Sequence, residues 1–189
     1  MTRPLTSPMP RRRLDALREV GAMPMFTALL TTLLLIGLRD AMTAPYLVLL
    51  AIEHAHLPPV LLGLFLTARA AGAIAFGILF GAWFDRAPTL RPLAVSLAAG
   101  VVGYAMLAPT TGFVPLLLIG AVPLGISSAA FPLLFALAKL HLGAGDRLKA
   151  ERGTAILRAS FSAAWGVGPA VGAIAVARSA DRVPGVAGP

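Results

Sequence analysis

Four charged side chains lie inside otherwise apolar stretches of this chain: Arg39, Asp40, Arg69 and Arg158. A charged residue at the centre of a membrane helix costs roughly 2.5–3.5 kcal/mol, and it normally faces a bundle interior or a water-filled cavity. Guanidinium and carboxylate groups at that depth can bind a polar substrate, carry a proton or form a structural ion pair. The four residues therefore predict either a polar cavity or a buried ion-pair network.

The positions of these charged residues along their helices indicate which groups each of them can contact. Neighbouring residues on a helix point about 100° apart, so Arg39 and Asp40 are expected to face different partners, with Arg69 as one candidate. Arg158 lies near the end of its apolar stretch, where snorkelling to the interface is as good an interpretation as a cavity role. Three arginines against one aspartate predict an anionic group, or a second half of the protein, opposite the excess positive charge.

The amino-acid composition indicates that most of this chain lies in a lipid bilayer and not in water. The sequence is 58% hydrophobic and 13% charged, with a mean hydropathy of +0.84, whereas soluble domains are roughly 45–50% apolar and 25% charged. Its net charge of +8 is dispersed among apolar runs with few aromatics, which does not indicate a nucleic-acid partner. Because the chain has no cysteine and only three histidines, no metal site or cofactor is predicted. No apolar run offers paired aspartates, a Ser–His pair or a His–Glu motif, so no enzyme is predicted either.

Five apolar segments are long enough to cross a bilayer, which takes about 20 residues of helix. They are 24–52, 59–83, 92–108, 113–138 and 154–177. The predicted fold is an all-α, polytopic membrane helix bundle over residues 24–177. A basic cytoplasmic tail at 1–23 precedes the bundle, and a Gly/Pro-rich tail at 178–189 follows it.

The Lys and Arg residues of the loops lie mostly on one side of the predicted membrane. The basic residues of that side are Arg3, Arg11, Arg12, Arg13, Arg18, Arg86, Arg91, Lys139, Arg147, Lys149 and Arg152. The opposite turns at 53–56 and 109–112 have no Lys or Arg, and only Arg178 and Arg182 follow the fifth segment. Because Lys and Arg are retained on the cytoplasmic side, the N-terminus is predicted to be cytoplasmic.

Small residues and prolines predict how the helices pack. The pairs Gly77/Gly81 and Gly168/Gly172 are small-xxx-small patterns that let helices approach closely. Prolines inside the segments predict kinks, and they are Pro45, Pro123, Pro132 and Pro169. Four serines are interpreted as packing or helix-contact residues: Ser127, Ser128, Ser160 and Ser162.

Residues 81–86, GAWFDR, resemble the loop signature between helices two and three of the major facilitator superfamily. Gly81, Asp85 and Arg86 stand at the matching positions. Pro88, Thr89 and Leu90 depart from the pattern, because the family usually has glycine at the first of these positions and basic residues at the other two. The resemblance implies that Asp85 and Arg86 belong to a charged latch that holds a gate.

Residues 168–173 are similar to the glycine–proline signature of the superfamily's exporters, through Gly168, Pro169 and Gly172. The runs 131–139 and 157–169 look more specifically like bacterial sugar efflux transporters of the Set type, and this likeness covers about residues 28–173. In such transporters polar residues of helices one, two, four and five line the central cavity. The resemblance thus implies that the cavity residues are Arg39, Asp40, Arg69, Arg158 and Trp165.

The resemblance implies proton-coupled export of a sugar or small metabolite across the bacterial cytoplasmic membrane, by alternating access around a midplane site. Asp40 would carry the proton, as the only carboxylate inside the predicted segments. Since the family has twelve helices, the expectation is a truncated chain that lacks a sixth helix and a C-terminal half, or one that pairs with another copy. The alternatives are a multidrug exporter, whose arginine signature in helix four is absent here, and a non-transporting membrane fragment or partner subunit.

Overall fold

The computed structural model describes residues 24–142 and 147–180, and every regular element among them is helical. The elements are α1 (Pro24–Leu49), a π-helical turn (Leu50–His54), α2 (Pro59–Arg86), α3 (Arg91–Leu107), α4 (Phe113–Ala121), α5 (Pro123–Ser128), α6 (Ala130–Leu142) and α7 (Arg147–Ala180). The predicted basic tail at 1–23 and residues 181–189 of the predicted C-terminal tail lie outside the described residues. The all-helical fold class is confirmed.

Three helical stretches of the described chain are long and apolar enough to cross a membrane: Met25–His54, Pro59–Arg86 and Phe113–His141. Helix α3 is a shorter apolar helix of 17 residues, or about 25 Å at 1.5 Å per residue. The fifth predicted segment, 154–177, lies within α7, which continues to Ala180. The chain is thus a helix bundle of membrane-spanning dimensions.

The fourth predicted segment is a broken helix. Pro123 has no N–H and cannot continue the hydrogen-bond ladder of α4, so the chain turns at Val122, whose φ is −96° and ψ is −76°. The Val122 N–H still donates to the Leu118 carbonyl at 2.9 Å, and the Val122 carbonyl accepts from Ile126 at 2.8 Å. The predicted kink at Pro123 is confirmed, and α4, α5 and α6 together form one interrupted span.

Helix α2 crosses this interrupted span at its break, with backbone against backbone. A Cβ added at Gly72 would lie 2.8 Å from the carbonyl carbon of Ala121, and one added at Gly125 would lie 2.9 Å from the carbonyl carbon of Gly72. Slightly farther along, the ring of the fully buried Phe65 fills the space beside Gly120. Lipid tails are as apolar as the side chains, so this close van der Waals approach is what holds the helices together.

The apolar core is divided into two clusters. The first joins α1, α2, α6 and α7 through residues such as Leu33, Phe84, Leu133 and Leu157. The second cluster joins the other end of α1 to four helices, α2, α3, α4 and α5. Its members are Leu47, Ala51, Leu57, Phe65, Leu107, Leu116, Ile119 and Leu124. Along α1 the interval between the two clusters is the part that contains Arg39 and Asp40.

The two predicted glycine pairs behave differently. Gly168 and Gly172 of α7 pack on α1, where a Cβ at Gly172 would lie 3.1 Å from Tyr46 Cε2, and this predicted contact is confirmed. The prediction for Gly77 and Gly81 is wrong for the described chain, since no heavy atom lies within 4 Å of a Cβ at either position. Both glycines lie on the face of α2 that has no neighbour in the described chain, and a sequence pattern does not reveal which face that is.

We expect Gly72→Ala to destabilise the bundle by about 1–3 kcal/mol, because the added methyl group must displace the Ala121 backbone. Gly77→Ala is the matched control on the same helix, and its open surroundings should leave stability unchanged or raise it by up to about 1 kcal/mol through helix propensity. Thermal unfolding of the detergent-solubilised protein, followed by helical circular dichroism, measures both. Equal midpoints for the two variants would contradict the crossing.

Candidate functional site

An ion pair occupies the interval between the two apolar clusters. Arg39 Nη2 lies 2.7 Å from Asp40 Oδ1 and its Nε lies 2.9 Å from the same oxygen, with the side chains 25% and 27% exposed. The prediction that these neighbours face different partners is wrong. An arginine side chain is long enough to fold back and reach the carboxylate of the next residue, so the angle between Cβ directions does not decide the pairing.

Three hydroxyl groups complete a polar centre, which we define as Arg39, Asp40, Thr43, Tyr104 and Ser127. Arg39 Nη1 donates to Ser127 Oγ at 2.9 Å, and its guanidinium carbon lies 5.5 Å from the centroid of the Tyr104 ring. The Thr43 hydroxyl donates to the Arg39 carbonyl at 2.8 Å and lies 3.1 Å from the Tyr104 hydroxyl. The centre therefore joins α1 to α3 and α5.

Gly100 makes room for this polar centre. A Cβ at this buried position of α3 would lie 2.5 Å from Ser127 Oγ and 2.8 Å from Arg39 Nη1. Any side chain at residue 100 would therefore displace the hydrogen bond between Arg39 and Ser127. Sequence reasoning missed Gly100, Thr43 and Tyr104, and it interpreted Ser127 only as a packing residue.

Arg69 remains without a counter-charge in the described part of the chain. Its Nε is buried and has no hydrogen-bond partner, and Asp40 is paired with Arg39 instead. Arg69 lies on α2 between Phe65 and Gly72, the residues that pack on the interrupted span. The expectation that it pairs with Arg39 or Asp40 is therefore wrong, because Asp40 already has its partner.

Trp165 belongs to an aromatic row on α6 and α7, which consists of Phe131, Phe135, Phe161 and Trp165, and Arg158 lies beside this row. Ring centroids are 4.9 Å apart for Phe131 and Phe135, 4.6 Å for Phe131 and Phe161, and 6.3 Å for Phe161 and Trp165. The guanidinium carbon of Arg158 lies 6.0 Å from the Phe135 centroid. Trp165 is 44% exposed, so the row presents an open aromatic face beside a cation.

The motif residues lie at two separate places. Asp85 and Arg86 are exposed at the end of α2, where the Ala87 N–H donates to the Trp83 carbonyl at 3.1 Å. Gly168 of α7 packs against Ala41, the residue after Asp40. The exporter-like glycines therefore hold α7 directly beside the polar centre, whereas the loop motif lies at the far end of α2.

A bundle of membrane-spanning helices with an ion pair, an uncompensated arginine and an open aromatic row inside it has the features of a membrane transport protein. The model of the Major Facilitator Superfamily matches residues 29–182, and the chain belongs to this superfamily. It is a multi-pass bacterial membrane protein.

Curated proteins of similar sequence include three transporters. A "Putative sugar efflux transporter" of Deinococcus radiodurans is 37% identical over 157 residues, which is 82% of this chain and 40% of the relative. "Sugar efflux transporter B" of Salmonella typhimurium is 30% identical over 76% of this chain and 36% of the relative. "Sugar efflux transporter A" of Dickeya chrysanthemi is 29% identical over 77% and 37%. No solved structure matches the chain. The matched region thus spans well under half the length of these relatives.

Ser127→Ala should destabilise the bundle by about 1.5–3 kcal/mol, since it removes a hydrogen bond to a charged group that is only partly exposed. The matched control is Ser128→Ala, because Ser128 donates only to the Leu124 carbonyl of its own helix. The free energy of unfolding in a denaturant series compares the two variants. If Ser128→Ala cost as much as Ser127→Ala, the link between α1 and α5 through Arg39 would be disproved.

Proposed function

We propose that this chain works in the proton-coupled efflux of a sugar or a similar small metabolite, by alternating access, and that it is not an enzyme. The observation that carries the proposal is the 37% identity with a protein named as a sugar efflux transporter, over 82% of this chain. The matched stretch is long enough to include the polar centre and the aromatic row. The chain provides one helix bundle, and another bundle, from a second protein half or another copy, provides the opposing surface.

The aromatic row is the proposed sugar contact. Sugars present apolar C–H faces that pack on aromatic rings, while their hydroxyl groups accept hydrogen bonds from cationic donors. Trp165 supplies an open ring, and Arg158 supplies such a donor beside Phe135. Arg69, with its buried and unpartnered Nε, is the proposed second donor to substrate oxygens. These contacts favour a polyhydroxylated substrate.

Asp40 is the proposed proton carrier. It is a carboxylate in the middle of α1, and its ion pair with Arg39 is also held by Ser127 and Tyr104 from two other helices. Protonation of Asp40 would release Arg39 and alter the contacts that join α1 to α3 and α5. A proton could thereby change the packing of the bundle.

A multidrug exporter is less well supported. A cavity for lipophilic cations needs a free carboxylate among its aromatics, because a buried cation must be compensated. Here the Asp40 carboxylate is occupied by Arg39, while Arg69 adds positive charge. The charge of the described cavity residues thus favours neutral or anionic substrates over cations.

The proposed orientation places the N-terminus in the cytoplasm, following the basic loops. Asp85 and Arg86 would then lie at the cytoplasmic end of α2, where a charged latch could meet the opposing bundle. The turn with Glu53 and His54 would face outward. The lipid bilayer, protons and the exported small molecule are the proposed partners, in a bacterial cytoplasmic membrane.

Trp165→Ala should lower the rate of labelled-sugar efflux from proteoliposomes about tenfold or more, because a loss of 1.4 kcal/mol of binding is a factor of ten. Trp83→Ala is the matched control, since Trp83 is exposed to a similar extent but packs only on Phe80 among the described aromatic contacts. Trp165→Phe should keep most of the rate. Equal losses in the two alanine variants would place the sugar elsewhere.

Asp40→Asn should abolish sugar movement driven by a pH gradient while leaving equilibrium exchange of sugar within about threefold of the native rate, as exchange needs no net proton transfer. The change also leaves Arg39 without its counter-charge, which destabilises the protein. The double variant Arg39→Gln/Asp40→Asn restores charge balance and should remain uncoupled. Gradient-driven transport by either variant would remove Asp40 as the proton carrier.

A further inference from the structure

We propose that a groove between α1 and α3 is a water-filled path that connects the Arg39–Asp40 ion pair with the Glu53 end of the bundle. The groove has two adjoining hollows of about 240 Å³ and 360 Å³. Tyr46, Leu50 and Ala108 line both hollows, so the two form one continuous depression. The proposal that the groove conducts protons rests on the proposed proton coupling at Asp40. The proposal that the groove is filled with water does not depend on that function.

The inner end of the groove reaches the polar centre. Thr43 and Tyr104 line the inner hollow, and their hydroxyl oxygens are 3.1 Å apart. Thr43 also donates to the Arg39 carbonyl, and the Tyr104 ring lies beside the Arg39 guanidinium. A water molecule in the inner hollow would therefore meet hydroxyl groups that are in direct contact with the partner of Asp40.

The outer end of the groove carries groups that exchange protons. Glu53 and His54 line the outer hollow, and both side chains are exposed. They lie on the π-helical turn that ends the first span, and exposed His56 follows with a positive φ of 49°. Residues 53–56 include no Lys or Arg. No fixed positive charge in this turn therefore opposes the approach of a proton.

The dimensions of the groove suit a file of water molecules. Glu53 follows Asp40 by thirteen positions, which is about 20 Å along a helix at 1.5 Å per residue. Each hollow is several times larger than the roughly 30 Å³ that a molecule occupies in liquid water, so each has room for more than one water molecule. Hydroxyl groups of Thr43, Tyr46 and Tyr104 offer hydrogen bonds along the way.

Single cysteines test the hydration of the groove, because the chain has no cysteine of its own. Leu50→Cys and Ala108→Cys place a thiol on each wall where the two hollows meet. The controls are Leu35→Cys on α1 and Val101→Cys on α3, at apolar positions that are 62% and 73% exposed and outside the groove. A membrane-impermeant cationic methanethiosulfonate is added to intact cells, and a lipid-soluble maleimide is the reference reagent.

The groove thiols should react with the impermeant reagent at least about tenfold faster than the control thiols, because thiolates form in water and not in hydrocarbon. After denaturation all four variants should be labelled fully by the maleimide, which shows that each thiol is present and reduced, and helical circular dichroism before denaturation should match the native protein, which shows that each variant is folded. Groove thiols that react no faster than the controls would overturn the proposal and identify the groove as a lipid-facing surface.

The same adducts test the proton path. A bulky adduct on Leu50→Cys should slow gradient-driven sugar movement in proteoliposomes about fivefold or more and leave equilibrium exchange unchanged. The adduct on Leu35→Cys should affect neither rate. If the groove is hydrated but the Leu50→Cys adduct leaves gradient-driven movement intact, the proton role is disproved. If no variant transports sugar while the groove thiols still react from water, the proposed function fails and the hydrated groove stands.

Discussion

The Arg39–Asp40 ion pair constrains the rest of this bundle, because two charges inside a bilayer are tolerated only when they are paired and hydrogen-bonded. Ser127 and Tyr104 supply the remaining contacts of the guanidinium from two other helices. Gly100 must stay without a side chain so that the bond to Ser127 can form. The two apolar clusters then pack above and below the pair rather than through it. The division of the core is thus a consequence of two adjacent charges in α1.

Close backbone approach is the second constraint, and it acts at the same level of the bundle. Gly72 and Gly125 bring α2 onto the break in the fourth span, while Gly168 brings α7 onto Ala41, next to Asp40. In a membrane, helices gain little from burying apolar surface, so association depends on such contacts and on hydrogen bonds between helices. The proton that we propose for Asp40 would therefore act next to these close backbone contacts.

Much of the architecture could be predicted from the sequence, because long apolar segments mark the parts of the chain that lie in the bilayer. The five apolar segments correspond to the described helical stretches, and the interruption at Pro123 follows from the missing N–H. The site was less predictable. Arg39 and Asp40 attract attention by their cost in a membrane, but their mutual pairing depends on side-chain rotamers. Tyr104 and Ser127 are ordinary residues until folding brings them to Arg39, and the Gly77/Gly81 pattern finds no neighbour in the described chain.

The position of Asp40 immediately after Arg39 has a consequence for biosynthesis. Ser127 follows Arg39 by 88 residues, and at 5–20 residues per second a ribosome needs roughly 4 to 18 s to make that stretch. During that interval α1 can enter the bilayer before its distant hydrogen-bond donor or acceptor groups exist. Asp40 is synthesised directly after Arg39, so the arginine has its counter-charge from the moment both residues leave the ribosome. The first helix therefore never has to present a lone guanidinium to the insertion machinery while it waits for α5.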